Sequence, residues 1–511
     1  MPKDANPLRS LIFRCRMSDR IEPYVWRIAG VVILGMTMSI LDTTIVNVAL
    51  DTLGRELEST LAQIQWVATG YLLALAAVIP LTGWAARRFG AKRVYLASIA
   101  LFTIGSALCG IAESSTTLIL FRVLQGIGGG MIMPVAQMIM AEVAGPKRMG
   151  RVMGIVVMPA MLAPILGPVV GGLILEHLHW SWIFFVNVPI GIVAWILGAR
   201  MLPDSDLGEA GKLDWLGLGL LATSMPLVVY GLSEIATKES FTAPTVVWPI
   251  VGGLLLTAVF GRHALRVPRP LLDVRLYANR IFAAASLTTF GLGAALFGAM
   301  ILVPLYYQQV RGESVIVTGL LTGPQGLGML LVAPWIARMT DRFGGGRVAV
   351  VGISILTLSS LPLCFIGADT SIPFISVMLL IRGVGIGLSF IPTTTVAFAS
   401  LRTDQLSDAT PQMNVLQRVG GAIGTAVLAV VLSHQIAEQV PGASAGGGLE
   451  AAGSIPAAAR AQLADPLANA FGGAFWWAVA LTAISIIPAT ILALTGRKRA
   501  DMPQAAAVPG D

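Results

Sequence analysis

The chain has 511 residues, of which 55% are hydrophobic and only 12% are charged, whereas a soluble globular domain carries about 25% charged residues. This composition excludes an ordinary soluble enzyme. Apolar stretches of the ~20 residues that a spanning helix needs recur along the chain, so the predicted fold class is an all-α polytopic membrane protein.

The N-terminal segment, residues 1–27, is predicted to be a cytosolic tail. It contains basic residues but has neither a long apolar core nor a small-residue cleavage site, so it does not resemble a cleaved signal peptide. The three cysteines and four histidines have no paired or zinc-like spacing. We therefore expect no disulfide framework and no metal site.

Fourteen apolar stretches follow, each bounded by charged residues, Gly or Pro. They lie at residues 28–50, 66–86, 94–112, 117–141, 153–175, 183–202, 215–233, 243–261, 281–305, 316–337, 348–367, 372–396, 411–433 and 471–495. An even number of spans places both termini on the same side of the membrane.

The distribution of basic residues indicates which side that is. With the N-terminus inside, 27 of the 34 Lys and Arg fall in cytoplasmic segments, as the positive-inside rule requires. Three others, Arg122, Arg382 and Arg418, lie within predicted spans. Basic cytosolic loops account for the net charge of +7, so we expect no nucleic-acid partner and predict a cytoplasmic-membrane protein with both termini inside.

An internal repeat divides the chain. After the second span the sequence reads Arg88-Phe89-Gly90-Ala91-Lys92-Arg93-Val94, and after the tenth it reads Arg342-Phe343-Gly344-Gly345-Gly346-Arg347-Val348, 254 residues later. A shift of eight spans keeps the orientation, so the repeats are parallel, as in many secondary transporters. The predicted domains are a tail at 1–27, a six-helix half at 28–202, two extra helices with flanking loops at 203–265, a six-helix half at 266–495 and a tail at 496–511.

The longest external segment, 434–470, is rich in Gly, Ala and Ser. Such a composition is typical of flexible chain. We expect a loop with one weakly helical stretch at 455–464.

Asp42 lies well inside the first span, where an ionised carboxylate destabilises insertion by ~2.5–3.5 kcal/mol. Burial and a nearby cation act in opposite directions on the protonation of a carboxyl group, so Asp42 is a candidate proton carrier. Arg122, in the fourth span, is its candidate partner, because a guanidinium stays charged and can bind a carboxylate through two hydrogen bonds. A purely structural ion pair or a solvated helix end is the alternative.

Asn47 and Gln125 lie one or two turns from this pair on their own helices, where they are expected to orient it or simply to join the helices. Small residues also mark the fourth and fifth spans. They are Gly126, Gly128, Gly129, Gly130, Ala163, Gly167, Gly171 and Gly172, with Pro164 and Pro168 favouring a bend. The glycine runs do not fit a nucleotide-binding motif, so no cofactor is expected and energy must come from an ion gradient or a separate partner.

The second half contains intramembrane polar residues but no deep carboxylate. Asn414, Gln417 and Arg418 lie together on the thirteenth span. Tyr306, Tyr307, Gln308 and Gln309 end the ninth, where they could form a ligand-binding wall or, for the tyrosines, an interfacial aromatic belt.

These motifs together resemble those of the drug:proton antiporter branch of the major facilitator superfamily with 14 spanning helices, the EmrB/QacA type. The resemblance covers nearly the whole chain. It rests on Leu41-Asp42-Thr43-Thr44-Ile45-Val46-Asn47-Val48-Ala49-Leu50, on Arg122-Val123-Leu124-Gln125-Gly126, on Ala163 to Gly172, on Trp180-Ser181-Trp182-Ile183-Phe184-Phe185-Val186-Asn187-Val188-Pro189, on Asp214-Trp215 and on Pro270-Leu271-Leu272-Asp273.

The resemblance implies a fold of 14 helices arranged as 6+2+6 and a proton-coupled exporter of amphipathic organic compounds or drugs that works by alternating access. A dedicated exporter of one metabolite, antibiotic or siderophore is the alternative within transport, and a membrane-bound enzyme or sensor on the same scaffold is the alternative outside it. One buried anion favours cationic substrates, although the three intramembrane arginines could equally receive anions. The family also allows an adaptor protein that extends the export path through an outer envelope, which the sequence leaves open.

The resemblance also assigns conformational roles to the two loop motifs, through Gly83, Arg88 and Gly90 in the first and Asp341 and Arg342 in the second. In the first motif, Arg87 stands where many members of the superfamily have Asp, whereas the second copy keeps Asp341. We therefore expect the usual charge contact of the first loop with the opposite half to be altered.

Overall fold

The computed structural model describes residues 22–204, 211–238, 240–402, 405–440 and 457–500. The predicted tails lie outside these residues, except for their innermost parts. The helices are α1 (Pro23–Glu56), α2 (Leu61–Val78), α3 (Thr82–Phe89), α4 (Ala91–Gly110), α5 (Ser115–His177), α6 (Trp182–Phe185), α7 (Asn187–Met201), α8 (Trp215–Lys238), α9 (Pro244–Arg266), α10 (Arg280–Leu305), α11 (Val315–Phe343), α12 (Gly345–Ser360), α13 (Ile372–Ala399), α14 (Leu406–Gln439), α15 (Ala457–Ile484) and α16 (Ile486–Ala500).

The all-α membrane fold predicted from the sequence is confirmed. Among the described residues, 13 segments are long and apolar enough to cross a membrane, and each coincides with a predicted span. The fifth of the 14 predicted spans, at 153–175, is the one that has no such segment among the described residues. The side chains of 153–165 lie outside the described set, and Leu166–His177 forms a shorter apolar helix.

The fifth span belongs to α5, whose 63 residues cannot form one straight crossing. Arg122, near the start of α5, contacts Asp42 of α1, whereas Gly167, near its end, packs against Thr44 in the same region of α1. A straight helix would place residues 122 and 167 about 67 Å apart. The chain must therefore turn back within α5, which is consistent with two spans there.

The two repeated loop motifs adopt the same backbone conformation. Gly90 has φ 87° and Gly344 has φ 83°, and each ends one helix and starts the next. This left-handed region strains any residue with a Cβ atom, so both motifs need glycine at this position. The structure thus reproduces the sequence repeat at the level of backbone dihedrals.

Helix packing places the extra pair at the edge of the bundle. α1 packs on α5, α10 on α14, and α11 and α12 on α13, while α8 and α9 pack mainly on each other. α8 also contacts α2 and α14, and α9 presents exposed apolar side chains such as Trp248 and Leu255. In a membrane protein such a face is suited to lipid.

The predicted external loop is shorter than expected. α14 continues to Gln439 and α15 already begins at Ala457, so the helices take up both ends of 434–470 and extend beyond the weakly helical stretch expected at 455–464. Ala-rich sequence propagates a helix readily once neighbouring helices pack against it. Residues 441–456 lie outside the described residues.

Candidate functional site

The structure brings Asp42 and Arg122 together inside the bundle. Arg122 Nη1 donates to Asp42 Oδ2 at 2.6 Å, and the two side chains are 1% and 0% exposed. Water cannot screen this pair, so each charge depends on its partner and on the surrounding hydrogen bonds.

Two further side chains, Gln125 and Asn187, donate to the Asp42 carboxylate. Gln125 Nε2 donates to Asp42 Oδ1 at 2.9 Å while its Oε1 accepts from Arg122 Nη1 at 2.7 Å. Asn187 Nδ2, at the start of α7, also donates to Oδ1, at 2.8 Å, and to Ser106 Oγ of α4 at 3.0 Å. Side chains of α5 and α7 therefore meet at a carboxylate of α1, and Ser106 of α4 joins this network through Asn187.

The guanidinium of Arg122 is held from the α2 side. Its Nε donates to the carbonyl oxygen of Val67 at 3.2 Å, and its Cζ lies 4.1 Å from the centroid of the Tyr71 ring. Cation–π contact and a backbone acceptor keep a buried guanidinium charged and oriented. Val67 and Tyr71 of α2 therefore hold the Arg122 guanidinium in place beside the Asp42 carboxylate.

Sequence reasoning missed Asn187, Ser106 and Tyr71. Asn187 does occur in the Trp180 to Pro189 motif, where an amide at the entrance of an apolar span could have indicated a buried polar contact. Asn47 was expected near the pair, but the structure exposes its side chain. Its position five residues after Asp42 turns it to another face of α1.

The small residues of α5 allow close contact between helices. A Cβ atom at Gly167 would overlap the Thr44 side chain, and one at Gly172 would crowd Ile316 of α11. Gly171 lies against Ile45, and Pro168 is half-buried. This part of α5 therefore packs tightly between α1 and α11.

Among the described residues, the polar side chains of α14 form no hydrogen bond with the Asp42 carboxylate. Asn414 Nδ2 donates to Gln137 Oε1 of α5 at 2.8 Å, which joins the two repeats. Gln417 is buried, with its backbone carbonyl close to Gly293. Arg418 is half-buried and near enough to Tyr71 for an electrostatic interaction.

Arg382, the counterpart of Arg122 in the sequence repeat, has a different environment. It is 1% exposed, and its Nη1 donates to Ser360 Oγ at 2.8 Å. Within the described part of the chain, no salt bridge joins Arg382 to a carboxylate. Only the first repeat therefore holds a charge pair of this kind in the residues that the structure describes.

The residues that end the ninth span separate into two groups. Tyr306 is fully buried, donates through its hydroxyl to the Gly367 carbonyl at 2.8 Å and packs on Phe471, while Tyr307 lies beside it. These tyrosines form packing contacts rather than an exposed aromatic belt. Gln308 lines a pocket between α1, α5, α10 and α11.

The first loop motif contacts the opposite repeat. Arg87 Nη1 lies 2.7 Å from both Asp408 Oδ1 and Ser407 Oγ at the start of α14. A Cβ atom at Gly83 would overlap the Ser407 carbonyl, so glycine is needed for this approach. Arg88, Asp341 and Arg342 are exposed.

Comparison with known families gives an extended match. The profile of the Major Facilitator Superfamily matches residues 32–425. The chain is 38% identical over 491 residues to the "Multidrug resistance protein B homolog" of Mycobacterium tuberculosis, covering 93% of this chain and 91% of that protein. It is 32% identical over 401 residues to the "Multidrug export protein EmrB" of Haemophilus influenzae, covering 77% and 78% of the two chains.

Solved structures share the fold at low sequence identity. The human organic anion transporter MFSD10 (TETRAN) superposes with a TM-score of 0.58 at 14% identity, covering 90% of this chain and all of that one. The proton:xylose symporter XylE superposes with a TM-score of 0.57 at 15% identity, covering 89% and 94%. At such identity the likeness concerns the fold alone.

Proposed function

The chain belongs to the major facilitator superfamily of membrane transporters, and from this premise we propose that it is a proton-coupled exporter of amphipathic organic compounds rather than an enzyme. The proposal rests chiefly on one observation: Asp42, the candidate proton carrier, is fully buried and paired with Arg122. The names of its relatives, a multidrug resistance protein homolog and a multidrug export protein, support drug-like substrates.

The pair supports coupling because its charge changes when a proton binds. Protonation of Asp42 removes the attraction to Arg122 and leaves a buried cation that keeps its contacts with Gln125, with the Tyr71 and Phe184 rings and with the Val67 carbonyl, none of which carries a negative charge. An uncompensated buried charge destabilises the conformation that holds it. A proton can therefore shift the population between two conformations of the transporter.

The direction of the cycle follows from the energy source. Asp42 takes up a proton from the outside and releases it inside, and the membrane potential contributes ~2.3 kcal/mol per 100 mV to that step. Substrate is carried out of the cell in the conformational change that runs opposite to the one that carries the proton in. The six-helix halves at 28–202 and 266–495 rock against each other, with the pair at 203–265 at their side.

We place the protein in the cytoplasmic membrane with both termini in the cytoplasm, because basic residues are concentrated in the segments that this orientation puts inside. In that orientation, the contact of Arg87 with Asp408 lies on the cytoplasmic side. It stabilises the conformation that is closed to the cytoplasm.

Efflux from intact cells tests the proposal. Pump-deficient cells that express the wild type are preloaded with a fluorescent cation such as ethidium, and efflux is followed with and without a protonophore. We expect efflux that stops with the protonophore and in the Asp42→Asn variant at equal expression. Efflux by Asp42→Asn at the wild-type rate would contradict the assigned role of this carboxylate.

A further inference from the structure

A small pocket of about 140 Å³ lies where the two repeats meet. Val48 of α1 and Pro168 of α5 line it from one side, and residues of α10, α11 and α13 with Gln308 line it from the other. The volume is close to that of an engineered cavity that binds benzene and smaller than the ~300 Å³ at which complete drug sites begin. It can therefore hold one ring of a larger molecule.

The wall of this pocket contains a hydroxyl group without a partner. Thr318 is 3% exposed, and its Oγ1 makes no hydrogen bond among the described residues. Thr322, one turn further along α11, lines the same pocket, but its hydroxyl donates to the Gly319 carbonyl at 2.9 Å. A buried hydroxyl is destabilising unless it is paired, so Thr318 has a donor available for a ligand.

The pocket is uncharged. Among the described residues that line it, none is ionisable, and most of the wall consists of aliphatic side chains and Met300. Asp42 lies six residues before Val48, about 9 Å along α1, and its carboxylate is fully buried among its own donors. A group bound in the pocket would therefore meet hydrogen-bonding and apolar surface but no counter-ion.

We propose that this pocket is a substrate subsite that binds an uncharged group the size of one ring. The group carries a hydrogen-bond acceptor, to which the Thr318 hydroxyl donates. The assignment rests on the proposed export function and narrows it: the pocket selects a neutral part of the substrate and does not select its charge. Proton and substrate then occupy separate places. They are linked through α1, which packs against α5 at Thr44 and Gly167.

Equilibrium binding to the purified full-length protein tests this assignment. The probes are radiolabelled chloramphenicol, a neutral nitrophenyl amide, and radiolabelled tetraphenylphosphonium, a cation without hydrogen-bonding groups. Thr318→Val should raise the Kd for chloramphenicol roughly three- to tenfold, the loss of one hydrogen bond. Thr318→Ser keeps the hydroxyl and should retain binding, and Thr322→Val, whose hydroxyl is already paired, should change the Kd less than twofold.

A further variant, Ala299→Leu, tests the pocket by filling it with a larger side chain. Ala299→Leu should weaken the binding of chloramphenicol at least tenfold, while Thr318→Val should leave the Kd for tetraphenylphosphonium unchanged. Unaltered chloramphenicol binding in both Thr318→Val and Ala299→Leu, or no binding of chloramphenicol to folded wild type, would overturn the assignment. A wild type that binds chloramphenicol with these variant effects but exchanges it for no proton would support the subsite and overturn the proposed export mechanism.

Discussion

Arg87 Nη1 lies 2.7 Å from Asp408 Oδ1, so an ion pair joins the first loop motif to the first turn of α14. The resemblance to the superfamily led us to expect an altered contact, because Arg87 replaces the usual Asp. In the structure the first loop motif still forms a charge contact with the opposite repeat, but the motif supplies the positive charge and the opposite repeat supplies the negative one. The acidic partner comes from the opposite repeat, near a helix N-terminus that favours negative charge.

Reversing the charge of Arg87 should slow export. The Arg87→Glu variant places two carboxylates at the contact, and we expect the efflux rate to fall about fivefold, the effect of roughly 1 kcal/mol at a half-buried pair. Measuring ethidium efflux in Arg87→Glu and in Arg87→Glu combined with Asp408→Arg checks this. The double variant should recover most of the rate, since it restores the pair with opposite polarity.

A matched control uses another ion pair. Lys92 lies 3.1 Å from Asp204, whose side chain is almost fully exposed. Asp204→Asn should leave the efflux rate unchanged. If Asp204→Asn slows efflux as much as Arg87→Glu does, the effect is one of general surface charge and the contact has no particular role.

Removing both members of the buried pair should destabilise the protein less than removing Arg122 alone. Arg122→Gln leaves the Asp42 carboxylate buried without its cation, which costs about 3–5 kcal/mol. Asp42→Asn combined with Arg122→Gln leaves no buried charge at this site. Thermal unfolding in detergent should therefore give a higher Tm for the double variant than for Arg122→Gln, and the opposite order would contradict a charge-dependent pair.

Asn187 should affect the rate of transport more than the stability of the fold. Asn187→Ala removes a donor to Asp42 Oδ1 at 2.8 Å, and a hydrogen bond to a charged group contributes about 1.5–3 kcal/mol. The Asp42 carboxylate is then held by one donor fewer. The rate of proton-driven substrate exchange in proteoliposomes should fall about tenfold or more, while a lower Tm with an unchanged rate would indicate a packing role only.

Asp214 should be structural. Its Oδ1 accepts from the Gly217 amide at 2.8 Å and lies 2.9 Å from His263 Nε2, while Oδ2 accepts from the Leu271 amide at 3.3 Å. It thus joins the start of α8, the end of α9 and the following loop. Asp214→Ala should lower the free energy of unfolding by about 1–3 kcal/mol. Once folded, this variant should keep the wild-type number of protons exchanged per substrate; a changed number would give Asp214 a part in coupling.

Composition and periodicity predicted the helical membrane fold because a spanning helix must satisfy its backbone internally and be apolar over a fixed length. The pairing of Asp42 with Arg122 could also be proposed from the sequence. An isolated carboxylate within a span needs a cation, and Arg122 lies within the fourth span of the same six-helix half. The turn within α5 was implied by two predicted spans on one continuous helix.

What the sequence could not provide was the direction in which side chains point. Asn47 and Asn187 are both amides in motifs near spans, yet only Asn187 reaches Asp42. That difference depends on the rotation of α1 and the approach of α7, both set by tertiary packing. Likewise, the pairing of Arg87 with Asp408 joins residues 321 positions apart, which no local pattern encodes.

Proton movement in proteoliposomes tests the central claim most directly. Purified wild type and Asp42→Asn are reconstituted with a pH-sensitive dye inside, and ethidium is added under an imposed pH gradient. We predict that the substrate triggers a proton flux through the wild type, whereas the same amount of folded Asp42→Asn moves no protons. A substrate-dependent proton flux of wild-type size through Asp42→Asn would contradict the account.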